Sequence, residues 1–318
     1  MIHRFFILLL VLGTLLMTAC PLSLIRMRVV EVATLSGSPL ACVLEAVPAA
    51  APAPSLTPTP TMSPGLLALR NRLAAAIDES GMNVAVAVTD LQTGESISVN
   101  GDDPRHAGCT LNWFVLLANV IDVQEGRVAE SEVDNLISRT IYGSNPVTAR
   151  DLLIITGDGS VEGGVLKVRS LLADLGLSHS IFDHPPGYSE QFTLHGEPNT
   201  ITANDMNRAL TAFYNGRIVD SDLRDYLLDK MTNVKPGLQY LLPAGVGEAR
   251  VSHKNGFTWM PGGWVDNDIG IVVFDTSEGP RAYAVSFYSQ DVPWEYADVP
   301  LGQEVSRLVW QYFTEQYP

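Results

Sequence analysis

Lys254 is the residue of this 318-residue chain best placed to do chemistry on a ligand. It stands in Val251-Ser252-His253-Lys254-Asn255-Gly256, ahead of the apolar run Ile269-Gly270-Ile271-Val272-Val273-Phe274. Both stretches read as strands, so the lysine lies on an extended segment that turns back into its neighbour. An ammonium is a compact point charge suited to holding a carboxylate in a cleft. The plain alternative is a solvent-exposed strand lysine. His253 points to the opposite face of the strand, which suits a packed structural histidine better than a base. A thiol is the second reactive group. His106-Ala-Gly-Cys109-Thr110-Leu111-Asn112-Trp113-Phe114 opens an apolar helix, and a thiol at a helix N-terminus can be activated by a lowered pKa. It still needs a proton acceptor, which Asn112 is not, while His106 reaches it only if the helix starts that early. Otherwise Cys109 is a small buried side chain with an inert thiol. Ser144 and Asn145 in Tyr142-Gly143-Ser144-Asn145-Pro146 add a hydroxyl and an amide. Asn145 is suited to donating to a bound amide carbonyl, and equally to forming the turn before proline.

The elements that must position these groups follow from periodicity and punctuation. Ser63 caps a first helix with Pro64 in its first turn, and Ser80-Gly81 ends it. Strands at 84–91 and 95–100 follow. Helices are expected near 110–125, 130–141, 147–156, 161–175, 202–214 (capped by Thr202) and 219–232. Strands near 249–255, 264–275 and 281–288 come next, and a last helix opens at Pro300. Trp259, Gly262, Gly263 and Trp264 form a hairpin whose aromatics either contact a ligand or simply make the turn. Glu190 and Glu197 read as surface carboxylates rather than general bases, and Trp113 and Phe114 as core. Helix, two strands, a run of helices, three strands and a helix is an α+β plan.

Composition narrows the class. Hydrophobic residues make up 46% and charged residues 17% of the chain, which fits a globular core rather than a disordered polymer. The net charge of −15 repels polyphosphate and argues against nucleic acid as a partner. No zinc-type Cys/His spacing is present, and neither a metal nor a cofactor is called for. His3 and Arg4 precede the apolar run Phe5–Met17, and Thr18-Ala19-Cys20 follows. That is similar to a bacterial lipoprotein signal with Cys20 acylated. The alternative is an uncleaved signal anchor, since the uncharged stretch continues to Ile25. Either way the protein is expected in the cell envelope, outside the cytoplasmic membrane and tethered through its N-terminus. Residues 1–20 are thus a signal segment and 21–63 a Pro/Thr/Ala-rich tether, with extended, semi-rigid proline-rich backbone before Pro64. Residues 64–318 form the folded domain. A Cys42–Cys109 disulfide is permitted by an oxidising compartment and not implied by it.

From Pro64 onward the chain resembles the class A β-lactamase and penicillin-binding-protein-like superfamily. The resemblance rests on landmarks in order: the strand pair Val84–Leu91 and Glu95–Asn100, the helix carrying Cys109, the Tyr142–Leu153 stretch similar to a Ser-x-Asn loop with its helix, the Asn199–Met206 helix start, and Lys254-Asn255-Gly256. It implies an antiparallel sheet with the terminal helices on one face and a helical subdomain on the other. It also implies a Ser-x-x-Lys nucleophile motif, where this chain has Cys109 and Asn112. A second register, placing Leu111 and Phe114 there, restores no base either. With Asn145 setting the register of the Ser-x-Asn loop, Gly143 falls where the family has its proton-relaying serine and Ser144 falls on the middle position. Asn255 replaces the usual hydroxyl of the Lys-x-Gly strand.

The resemblance therefore implies substrate-binding positions at Lys254, Asn255, Gly256 and Asn145. Cys109 and Ser144 are the only candidates left for catalysis. The expected function is an envelope-anchored, catalytically inactive β-lactamase-like protein that binds a peptidoglycan-like, β-lactam-like or protein ligand in its remnant cleft. Two alternatives stand beside it: a β-lactamase or transpeptidase-like hydrolase using Cys109 as nucleophile, and a purely structural envelope module.

Overall fold

The computed structural model describes residues 62–187 and 192–318. Cys20, Cys42, Glu190 and nearly all of the 21–63 segment lie outside them. No helix among the described residues is long and apolar enough to cross a membrane.

Helix α1 (Pro64–Ser80) starts where Ser63 accepts the Leu66 N–H and Pro64 occupies the first turn. It stops at Gly81, whose left-handed φ of 65° closes the end. Its buried residues Leu66, Leu69, Leu73 and Ile77 recur every three or four positions and lie against the sheet. That sheet has five antiparallel strands in the order β2-β1-β7-β6-β5. The strands are β1 (Asn83–Asp90), β2 (Ser96–Val99), β5 (Arg250–Met260), β6 (Gly263–Phe274) and β7 (Arg281–Gln290).

Alternation along β1 divides the core in two. Val84, Val86 and Val88 face α1 and the last helix α8 (Val299–Gln316), together with Val305, Val309 and Phe313. Ala85 and Ala87 face the other way, toward the helical half of the molecule. That half holds α2 (Asn112–Gln124), α3 (Glu130–Gly143), α4 (Pro146–Thr156), α5 (Val161–Asp174), α6 (Ala203–Tyr214) and α7 (Ser221–Lys230). Trp113 and Phe114 are fully buried there, in edge-to-face contact at 5.0 Å. The α+β architecture is the one the resemblance implies.

Two features differ from the sequence reading. Strand β5 does not end at 255. It pairs with β6 in unbroken register from Arg250↔Val273 to Met260↔Gly263. Gly256 reads as a strand breaker by propensity alone, but as an edge-strand residue it is kept extended by its ladder. A short two-stranded sheet, β3 (Arg105–His106) with β4 (Thr200–Ile201), was not foreseen. It pins the segment before Cys109 to the start of α6.

Candidate active site

The site is assembled where the Cys109 turn, the end of α3 and strand β5 meet. Gly108–Leu111 form one 3-10 turn, and α2 continues from Asn112. Backbone meets backbone here. A Cβ placed on Gly256 would stand 2.8 Å from both the Cys109 and Thr110 nitrogens. No side chain fits in that space, so the glycine sets how closely β5 approaches the thiol. Thr110 fixes the turn by donating from Oγ1 to the Ala107 carbonyl at 2.6 Å, with the Tyr288 hydroxyl 3.2 Å away.

Lys254 is fully buried. Its Nζ donates to the hydroxyl of Ser144 and, at 2.6 Å, to the carbonyl of Asn255. Ser144 Oγ in turn donates to Asn255 Oδ1 at 3.2 Å. Lys254 forms no ion pair among the described residues, and both its acceptors are neutral. Burial pushes its ammonium pKa below the ordinary lysine value, opposed by the Cys109 thiol and by Asp268. His253 lies on the other face, 1% exposed, with Nδ1 held 2.9 Å from Asp268 Oδ1.

The loop between α3 and α4 brings its middle position, Ser144, to the lysine. The hydroxyl against the lysine is that of Ser144, not of a residue at 143. Gly143 is the last residue of α3, and Ser144 follows in the left-handed region at φ 49°, ψ 41°. Asn145 is the N-cap of α4: its Oδ1 accepts the N–H groups of Val147 (3.0 Å) and Thr148 (3.2 Å). That oxygen is committed to the helix.

Cys109 is the small buried side chain of the second reading rather than an activated thiol. It forms no disulfide among the described residues and is 8% exposed. Burial raises its pKa, and the Lys254 ammonium offsets this only in part. The cause is a cover supplied from far along the chain: a Cβ on Gly187 would stand 2.7 Å from the sulfur. Gly187 belongs to a loop closed at its neck by two side chains. Asp183 accepts the N–H groups of His195 (2.9 Å), Gly196 (3.1 Å) and Glu197 (3.1 Å). Asn199 accepts from Asp183 N at 2.7 Å and donates to His184 O at 2.8 Å. His106, His184 and Cys109 line one small cavity of about 120 Å³ under this loop. No hydrogen bond joins either imidazole to the sulfur among the described residues. Glu197 is tied into the loop neck through its own N–H, with its carboxylate 3.9 Å from Arg169.

Asn112 opens α2 three positions after Cys109. It is fully buried, and neither Oδ1 nor Nδ2 has a hydrogen-bond partner. An amide can neither take a proton from the thiol nor supply a charge. No cluster of His, Cys, Asp or Glu among the described residues is arranged to hold a metal ion.

The profile of the beta-lactamase enzyme family (Beta-lactamase2) matches residues 130–313, more than half of the chain. Solved structures with the same fold include PBP-A as an acyl-enzyme complex with penicillin G. It is 22% identical, with a TM-score of 0.64 over 79% of this chain and 97% of that one. A class A β-lactamase described as the last common ancestor of Gram-negative bacteria is 23% identical. Its TM-score is 0.64, over 77% of this chain and 99% of that one. A β-lactamase from Chitinophaga pinensis is 17% identical, with a TM-score of 0.61 over 77% and 98% of the two chains. At these identities the likeness to solved structures concerns the fold. No curated protein sequence matches. With the family profile running from α3 through most of α8, across the strand that bears Lys254, the chain belongs to the beta-lactamase enzyme family.

Proposed function

We propose that this protein binds a carboxylate-bearing ligand of the β-lactam or peptidoglycan-peptide class at the Lys254 cleft and does not open it by acyl transfer. The carrying observation is the Lys254 ammonium. It is fully buried, yet only a hydroxyl and a carbonyl hold it. Removing an ammonium from water costs several kcal/mol, and neutral acceptors return only part of that. A fold retains such a charge at little benefit to itself unless a ligand anion completes it. Ser144 and Asn255 stand beside it to direct a carboxylate, and Gly256 keeps the backbone close.

Among the described residues no base is hydrogen-bonded to the Cys109 sulfur, and the amine of lowered pKa, Lys254, is turned to Ser144 and the Asn255 carbonyl instead. Cys109 is held in its thiol form by burial, and Asn112 is no base. Nucleophile and base act as a unit, so losing one costs orders of magnitude in rate. The raised thiol pKa also counts against a hydrolase working through Cys109. Placement in the cell envelope, through a lipid on Cys20 or an uncleaved anchor, is part of the same proposal and is supported by the N-terminal sequence pattern.

The test is a titration of full-length protein with benzylpenicillin and, separately, with its ring-opened hydrolysis product. Both keep the carboxylate, so both should bind saturably and reversibly. Absence of saturable binding for both would remove the proposal and leave a purely structural module.

A further inference from the structure

A second candidate site shares no lining residue with the Lys254 region. A cavity of about 730 Å³ opens between the edge strand β2 and helix α6, within the size range of small-molecule pockets. Two buried polar side chains form part of its lining, Thr89 and Asn207, each 3% exposed. They are fixed by a network. Asn207 Nδ2 donates to Thr89 Oγ1 at 3.1 Å, Asn207 Oδ1 accepts from Ser286 Oγ at 2.6 Å, and Thr89 Oγ1 lies 2.8 Å from Ser96 Oγ. Thr211, one turn further along α6, lines the same cavity with its hydroxyl buried and unpartnered.

Three arginines line it as well: Arg70 from α1, Arg208 from α6 and Arg217 just beyond α6. One acidic residue, Asp174, lines it with them. In a chain of net charge −15 this local excess of guanidinium is unexpected. Arg70 is partly engaged, with Nε donating to Ser98 O at 3.1 Å. Arg208 donates to Asp205 at 2.9 Å and to Gly176 O at 3.1 Å. The Arg217 side chain has no hydrogen bond or ion pair among the described residues.

We propose that this cavity is a binding site for a small multivalent oxyanion, a carboxylate or a phosphate, held chiefly by Arg217 with Arg208 and Arg70 beside it. A guanidinium presents paired N–H groups that match either anion in a fork. The orphan Thr211 hydroxyl supplies a neutral donor, and the fixed Thr89–Asn207 pair gives a polar wall that does not rearrange. Asp174 and Asp205 set a lower limit on ligand charge, because a singly charged group gains little against them. The site is independent of the Lys254 cleft.

The experiment titrates full-length protein, at matched ionic strength, with citrate and with inorganic phosphate, following heat of binding and thermal stability. Saturable binding of either anion supports the site, and the one that saturates identifies it as a carboxylate or a phosphate site. Arg217→Ala, an exposed position whose loss leaves the fold intact, should weaken that binding about tenfold, the effect of removing one charge-assisted contact. Lys254→Met should leave it unchanged. No saturable binding of either anion, equal binding in Arg217→Ala, or loss of binding in Lys254→Met would each overturn the assignment.

Discussion

Lys254→Met should weaken carboxylate binding strongly while leaving the protein at least as stable as before. Two opposed effects decide the sign. Methionine loses the contacts to Ser144 and Asn255 O, each worth roughly 1.5–3 kcal/mol when one partner is charged. It also removes a buried cation that has no anionic partner, whose desolvation costs several kcal/mol. The second effect is the larger, because both acceptors are neutral and Ser144 keeps Asn255 Oδ1 as an alternative. A gain of about 1 kcal/mol, or a few degrees in Tm, is expected. Affinity for penicillin or its hydrolysis product should fall by about 30-fold or more, equivalent to about 2 kcal/mol. Calorimetric titration and thermal melts on the same preparations read both. A variant that binds normally and melts lower would mark Lys254 as a structural brace.

The second large effect is a pH dependence seated on the opposite face of the sheet. Asp266 on β6 and Asp298 just before α8 are both fully buried. Asp266 Oδ1 accepts the Tyr240 hydroxyl at 2.6 Å, but its Oδ2 and both oxygens of Asp298 have no donor. Burial pushes Asp266 up to about 8, eased by the Tyr240 hydrogen bond and reinforced by Asp298. Burial likewise raises Asp298. Two carboxyl groups in this setting retain a proton between them. In the unfolded chain Asp266 titrates at about 4. Between about 4 and about 8 the folded state therefore binds a proton that the unfolded state has lost. The stabilisation is complete below that window and falls as pH rises through it, by up to about 1.4 kcal/mol per pH unit. Asp298→Asn replaces the shared proton with a permanent donor and should flatten this slope. Melts from pH 5 to pH 8 should fall by several degrees in the wild type and clearly less in the variant. Equal slopes would show that the pair ionises freely in the fold. Lys254 works in the opposite sense, since its depressed pKa makes stability rise with pH just below the ordinary lysine value. The difference between wild type and Asp298→Asn isolates the carboxyl pair.

Local rules carried much of this fold. The caps at Ser63 and Thr202 hold the N–H groups they should. The split of β1 into a valine face and an alanine face is likewise legible, because alternation in a strand is enforced by its geometry. The site was legible only where a single residue decides it. Lys254 and Gly256 are such residues. Asn145 is not: its sequence leaves a ligand contact and a turn equally open, and the structure makes it the N-cap of α4. Asn before Pro is the signature of an N-cap and first-turn proline. An asparagine spent on a cap does not face a cleft with the same oxygen. The thiol was legible as a buried side chain, but not what buries it. A helix terminus lowers a thiol pKa locally, but Gly187 covers Cys109 from 78 positions away, and no local pattern announces that contact. The Asp266–Asp298 pair is equally silent, since its members meet only after β7 and its following turn are in place.

The central claim is that a carboxylate ligand binds beside Lys254 and does not acylate the protein. The most direct measurement is the intact mass of full-length protein after prolonged incubation with saturating benzylpenicillin, with the drug assayed in parallel. An unchanged protein mass and an intact β-lactam ring are expected, because Cys109 is protonated and covered and Asn112 accepts no proton. A penicilloyl adduct mapped to Cys109 or Ser144, or ring opening faster than in buffer, would contradict it.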